Sequence, residues 1–525
     1  LLYHEGRSHT KQSSYQGGIV MPDYAQIEQE FLNEQRSLNA YDQALSLLGW
    51  DARTGAPRKG VEERSEVVGA LAAELFARKT SGHLKDMSQH LLEPEAAEQV
   101  SAVARRAAEE TLVDVERMER LPRNEYQAFT TLTSKTESYW EEAKASGDFE
   151  SFRPYLEEIV AYQRRFADYL GYEAHPYDAL LHDFEPGMTV STLDDTFSKL
   201  RDGLLPLVEQ VKAAPARPDT SFLHAHVPKD RQRAFSEHVL RQMTYDFDAG
   251  RLDEAVHPFA VGLNHNDVRV TTKYDEHDFR TAVFGTIHEG GHALYEQNLG
   301  TDLAGTILAD GASMGIHESQ SLFWENFVAR TRSFWENNYG KLQELSGGQF
   351  QHVALDDFYF AVNSVEPSLI RIEADEMTYS LHIILRYELE KALIEGSLQV
   401  KDLPEAWNEK MKQYLGVLPS NHAEGVLQDV HWAGGAFGYF PSYALGYIYA
   451  AQFQQAIVRD LPAFDDLVAS GDLAPIRHWL TERVHQHGRM KRPAEIVTAA
   501  TGEGTNPEPL LAHLSHKYQS LYRWS

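Results

Sequence analysis

The sequence predicts a mostly α-helical protein built as a single large helical domain. Three observations carry that expectation. Apolar residues recur at helical spacing through most of the 525 residues. The breaks between these stripes are short turns, and none is long enough to link separate domains. One stretch, residues 267–274, has the β-branched, near-alternating pattern of a strand.

Residues 1–20 contain His4, Glu5, Arg7, His9, Lys11 and Gln16 and no apolar central run, so they do not read as a secretion signal. Met21 reads as the native start, which makes 1–20 an upstream segment and 21–525 the helical domain; cytoplasmic residence is the expectation that follows. From 25 to 50, Leu38, Tyr41, Leu45 and Leu48 form one apolar stripe. Similar stripes run at 95–120, 128–145, 152–170, 193–213, 232–244, 321–338, 350–363, 373–395, 444–458 and 471–484. In 373–395, Met377, Leu381, Ile384, Leu385 and Leu389 mark the buried face, with Glu388, Glu390 and Lys391 on other faces. Gly55-Ala56-Pro57, Glu185-Pro186-Gly187 and Ala214-Pro215-Ala216-Arg217-Pro218 supply turn chemistry between stripes.

Composition narrows the chemistry. Lys and Arg total 49 and Asp and Glu 78, a net charge of −29 that disfavours nucleic acid and anionic membrane surfaces. No stretch approaches the run of about 18 apolar residues that a spanning helix requires. There are no cysteines, so disulfides, thiolate metal sites and cysteine nucleophiles are excluded, whereas 24 histidines leave imidazole available as a metal ligand.

Residues 288–292 read His288-Glu289-Gly290-Gly291-His292. On a helix, two histidines at i and i+4 share one face and can ligate one zinc, and the intervening Glu can take a proton from water held there. Chance gives about 0.1 such matches in a chain of this composition, so the pentapeptide is moderately specific by itself. The apolar flanks Ala282-Val283-Phe284 and Ala293-Leu294-Tyr295 embed it in a core. Two adjacent glycines cost a helix on the order of 1 kcal/mol each, which points to close approach by substrate or by a packed helix. A hydrolytic zinc needs a third protein ligand. Glu318, in His317-Glu318-Ser319-Gln320, is the favoured candidate, and Asp310 and Glu325 compete with it.

These segments resemble the thermostable-type zinc metallocarboxypeptidases, the family named after the carboxypeptidase of Thermus aquaticus. The likeness rests on six ordered motifs. They are His257-Pro258-Phe259, Asp267-Val268-Arg269-Val270-Thr271, the 288–292 motif, His317-Glu318-Ser319-Gln320, Ile370-Arg371-Ile372-Glu373-Ala374-Asp375 and Gly425-Val426-Leu427-Gln428-Asp429-Val430-His431-Trp432. Trp50-Asp51 with Thr54, Pro57, Gly60 and Arg64 is similar to the family's N-terminal signature, with Ala56 where Met is expected. The resemblance implies a saddle-like helical subunit with a deep active-site groove. It also implies a small antiparallel β-sheet beside the zinc helix and a homodimer.

The resemblance also implies roles. His288, His292 and Glu318 bind zinc, which cobalt can replace, and Glu289 is the general base and later the proton donor. A free C-terminal carboxylate calls for an Arg fork; Arg371 is the first choice and Arg269 the second. His431 and Tyr443 are favoured as donors to the tetrahedral oxyanion, with Tyr439 beside them and His257 shaping the substrate pocket. Asp375 and Asp429 stay open between outer-shell acceptors and ordinary caps or ion pairs. The expected activity is release of single C-terminal residues from peptides by attack of zinc-bound water, with broad specificity. An oligoendopeptidase or dipeptidyl carboxypeptidase of related helical fold is the enzyme alternative, and a non-catalytic peptide-groove protein the other.

Overall fold

The computed structural model describes residues 22–524, so the expectation for residues 1–20 lies outside it. The structure is 68% helical, and the mostly α expectation holds. The first helix spans Tyr24–Thr54 and begins where the Asp23 carboxylate accepts the Gln26 N–H. Its stripe packs Leu38, Tyr41 and Leu45 into a small core with Phe31, Leu84, Leu91 and Leu308. The stripes that follow become Ala102–Arg120, Arg123–Ser146, Phe149–Leu170, Val190–Ala213 and Lys229–Gln242. A second, much larger core runs from Ala143 to Tyr522 and surrounds the candidate site.

The sheet has three strands: β1 at Gly250–Glu254, β2 at Ala260–Asn264 and β3 at Asp267–Thr272. Only β3 was legible, because Gly250, Asp253, Gly262 and Asn264 dilute the strand propensity of the other two. The order is β1-β3-β2. The β2–β3 pair is antiparallel, as the resemblance implied, but β1 pairs with β3 in parallel, so the sheet is mixed rather than wholly antiparallel. β2 is an edge strand, and it lies against helix Phe279–Gln297.

One stripe hides more than one element. The stripe at 321–338 spans the end of helix Met314–Leu322, a π-helix at Phe323–Ala329 and a new helix at Arg332–Leu345. The last is capped by Thr331, whose hydroxyl accepts the Phe334 N–H. Stripe 373–395 becomes helix Tyr379–Glu395, and its five marker residues are buried as expected. Arg386 and Glu390 are fully buried as well, so Glu390 does not lie on an outer face. Trp432 Nε1 at 2.7 Å, the Gly438 N–H at 3.0 Å and the Tyr177 hydroxyl all donate to its carboxylate. These donors make the burial tolerable, though burial still pushes its pKa up to about 7. Among the described residues no helix is long and apolar enough to cross a membrane.

Candidate metal and active site

Residues 288–292 sit in the middle of helix Phe279–Gln297, which starts at Asp278, an acceptor for the Arg280 N–H. His288 and His292 lie one turn apart, with ring centroids separated by 5.1 Å. The glycines between them admit neighbouring helices. A Cβ on Gly291 would fall 2.5 Å from the Gln320 carbonyl oxygen, and one on Gly290 would fall 2.6 Å from Leu240. The close approach suggested by the paired glycines is therefore helix packing.

Gln320 belongs to helix Met314–Leu322, which carries Glu318. Its first turn is fixed twice over: Ser313 Oγ accepts the Ile316 N–H at 3.0 Å and Glu185 accepts the Gly315 N–H at 3.0 Å. With that helix held against the first, Glu318 Oε2 lies 3.8 Å from His288 Nε2 and 3.4 Å from His292 Nε2. One ligand atom from each of the three residues falls within 4.8 Å of the others. Two imidazoles and a carboxylate suit a divalent first-row metal.

The competitors for the third ligand have other partners. Glu325, seven residues beyond Glu318 in the π-helix, reaches the far nitrogen of the same ring, Nδ1 of His288, at 3.0 Å, and takes Arg330 at 2.9 Å on its other oxygen. Asp310 accepts the Gly311 N–H at 2.7 Å and lies outside the three-ligand group; Ser313, not Asp310, caps the helix. Burial works against a charged His288, but Glu318 and Glu325 outweigh it and raise its pKa to about 10. The two carboxylates thus favour positive charge at His288, whereas burial lowers the His292 pKa to about 4.

Glu289 faces the sheet side and is 9% exposed. Burial pushes its carboxyl up to about 7, with His288 and the Ala260 backbone of β2 pulling the other way. The edge strand therefore runs beside the carboxylate between the two histidines.

Helix Pro441–Asp460 closes the other side. It carries Tyr443, whose hydroxyl lies 3.2 Å from His431 Nε2. Tyr439 stands edge-on to Tyr443 with centroids 5.1 Å apart, and 5.4 Å from the His431 ring. Burial and the nearby Arg371 lower the His431 pKa to about 4, and burial raises that of Tyr443 far above its usual value. His431 is therefore neutral and Tyr443 protonated at neutral pH.

Arg371 is 8% exposed and its guanidinium stacks on Tyr443 at 4.9 Å. Its Nε donates to Asp429 Oδ1 at 3.0 Å, while Arg386 donates to Asp429 Oδ2 at 2.7 Å. Although burial opposes it, Arg386 and Arg371 hold the Asp429 carboxyl well below the usual range. Two guanidiniums against one carboxylate leave this buried array with a net charge of +1. Asp429 is thus an ion-pair clamp. Asp375 accepts the Met377 and Thr378 N–H groups, each at 2.9 Å, and serves as a turn residue.

Arg269 and His257 are not brought into this cluster. β3 alternates, so Val268 and Val270 face the core while Arg269 points to the opposite side. There it forms a bidentate pair with Asp267, both contacts at 2.8 Å, and lies over Trp50 at 5.7 Å. Trp50 in turn meets Phe259 edge-on at 5.2 Å, so the N-terminal signature fastens the first helix to the sheet. His257 is exposed in the connection between β1 and β2. Sequence reasoning gave no role to His317, Glu296, Arg330 or Arg386. The only available signal was spacing: Glu296 stands four residues after His292, on the same helix face.

With this geometry in place, the relatives are informative. Residues 30–518 match the family model for the carboxypeptidase Taq (M32) metallopeptidases. Carboxypeptidase 1 of Bacillus subtilis is 52% identical over 495 residues, covering 94% of this chain and 98% of that protein. Thermostable carboxypeptidase 1 of Thermus thermophilus is 42% identical over 505 residues, covering 94% and 98%. The crystal structure of the M32 carboxypeptidase from Deinococcus radiodurans R1 superposes with a TM-score of 0.92 at 36% identity, over 95% of this chain and 100% of that one. The chain belongs to the carboxypeptidase Taq (M32) metallopeptidase family and is a metal-dependent carboxypeptidase.

Proposed function

We propose that the chain is a zinc carboxypeptidase that releases single C-terminal residues from peptides with broad side-chain tolerance. The observation that carries this reading is the convergence of His288, His292 and Glu318 beside the buried Glu289. When bound, zinc supplies Lewis acidity that polarises the scissile carbonyl and makes water easier to deprotonate. Glu289, buried beside the two histidines, takes the proton of the attacking water and returns it to the leaving amine. Cobalt can occupy the same donor set.

The remaining residues bind and orient the substrate. Arg371 keeps Nε on Asp429 and offers its two terminal nitrogens to the C-terminal carboxylate, whose charge neutralises the +1 array. The Tyr443 hydroxyl donates to the developing oxyanion while His431 Nε2–H donates to the Tyr443 oxygen and steers it there, and Tyr439 packs against both. The edge of β2 accepts an extended peptide through backbone hydrogen bonds, which supports indifference to side chains, and His257 lies just before that edge. Arg269 supports the sheet through Asp267 in this reading and does not clamp the substrate. A homodimer is carried by family likeness and is tested by sedimentation.

The decisive experiment is chelation followed by zinc or cobalt add-back, with mass spectrometry of an N-terminally blocked peptide. The expected products are single C-terminal residues, formed only with metal. Dipeptides or internal fragments would instead support the dipeptidyl carboxypeptidase or oligoendopeptidase reading. Stoichiometric zinc without any hydrolysis would support the non-catalytic one.

A further inference from the structure

We propose that His317, backed by Glu296, is the positioning residue that fixes the metal-binding tautomer and orientation of His292. The proposal rests on His288, His292 and Glu318 being the metal ligands. His292 turns Nε2 toward Glu318 Oε2 at 3.4 Å, so Nδ1 must carry the ring proton if Nε2 is to donate a lone pair. That Nδ1 lies 2.6 Å from Nδ1 of His317, and only one of the two nitrogens can hold the shared proton. His317 Nε2 in turn lies 2.8 Å from Glu296 Oε1, an acceptor. The carboxylate therefore draws the His317 proton to Nε2 and leaves its Nδ1 free to accept from His292. One carboxylate sets two tautomers in series, whereas His288 meets the Glu325 carboxylate directly.

Packing keeps this line of groups in register. The His317 ring lies 5.3 Å from that of Tyr295, which stands on the His292 helix. Gly311 leaves the space that the ring edge fills; a Cβ there would fall 2.7 Å from His317 Cδ2. Gly262 of β2 does the same for Glu296, whose Oε2 would lie 2.7 Å from an added Cβ. The edge strand, Glu296, His317 and His292 thus form one continuous contact path. A ring so confined holds His292 where the metal requires it and spares the ordering cost on binding.

The test is zinc affinity by chelator competition on the metal-free protein, the visible spectrum of the cobalt-loaded form, and the melting temperature of the metal-free form. H317A is expected to bind zinc about 10–100-fold more weakly and to alter the cobalt spectrum. H317Q, whose amide can accept from His292 and donate to Glu296, is expected to recover most of the affinity. E296Q keeps the volume but removes the charge that selects the tautomer, and is expected to weaken binding severalfold; it carries the test if H317A does not fold. Zinc affinity within about threefold of native in folded H317A or, if H317A does not fold, in E296Q overturns the proposal, even if thermal stability falls, because that pattern marks a packing role. Native protein that binds no stoichiometric zinc overturns the underlying metal-site reading, an outcome distinct from tight native binding that H317A leaves intact.

Discussion

Gly446 leaves the space that Glu318 occupies: a Cβ on Gly446 would fall 2.6 Å from the Glu318 Cβ and 2.7 Å from its Cγ. The two helices meet at this contact, and the third ligand of the candidate metal site is set by it. Gly446→Ala gains up to about 1 kcal/mol of helix propensity, but overpacking costs about 1–3 kcal/mol. The expected result is a modestly less stable protein whose zinc affinity falls at least about tenfold, because Glu318 must shift from its ligand position. Chelator competition and denaturant titration on the same preparation separate the two effects.

Glu289→Gln keeps the shape of the buried side chain and removes its basicity. Metal content by elemental analysis is expected to match the native enzyme, while kcat falls about 10²–10⁴-fold. Turnover near the native rate would show that another group moves the proton.

Arg371→Ala is expected to lower kcat/KM roughly 10–100-fold for peptides ending in a free carboxylate, the magnitude of one charged hydrogen-bonding partner. The rise should appear mainly in KM. Peptides with an amidated C-terminus lack the partner charge and should be cleaved with little change from their already low rate. Equal losses on both substrates would remove Arg371 from carboxylate recognition.

Glu185 offers a pH test away from the metal ligands. It is 1% exposed, and burial raises its pKa from 4.5 to about 7, with Ser313, the Gly315 N–H and Tyr449 pulling it down. A raised folded-state value means that its contribution is fully present below about 4.5 and is lost as pH rises through about 7. Glu185→Gln removes that dependence. Relative to native, the variant is therefore expected to gain stability between pH 5 and pH 8, by up to about 3 kcal/mol. Urea unfolding at the two pH values checks this, and an unchanged difference would mean that Glu185 ionises freely in the fold.

Sequence spacing exposed residues that act within one element and hid those that act between elements. His288 and His292 were legible because a single helix turn joins them. Glu318 was reachable only as one of three acids, because the fold decides which acid faces the histidines. The π-helix sends Glu325 to His288 Nδ1, and no periodicity announces that. Arg269 stood second to Arg371 as the carboxylate clamp, and strand alternation turns it toward Trp50. Glu390 read as a charge off the buried face and Arg386 carried no role, since a buried charge is recognisable only once its partners, Trp432, Gly438 and Asp429, are assembled around it.

The array of Arg371, Asp429 and Arg386 has a consequence for the end of the reaction. On the proposed reading it holds a carboxylate, and the amino acid cut from the peptide keeps that carboxylate. The first product therefore inherits much of the attraction that held the substrate. Departure of the free amino acid, not bond cleavage alone, then sets how quickly the next peptide can enter, and accumulating amino acids would slow the enzyme by competing for Arg371.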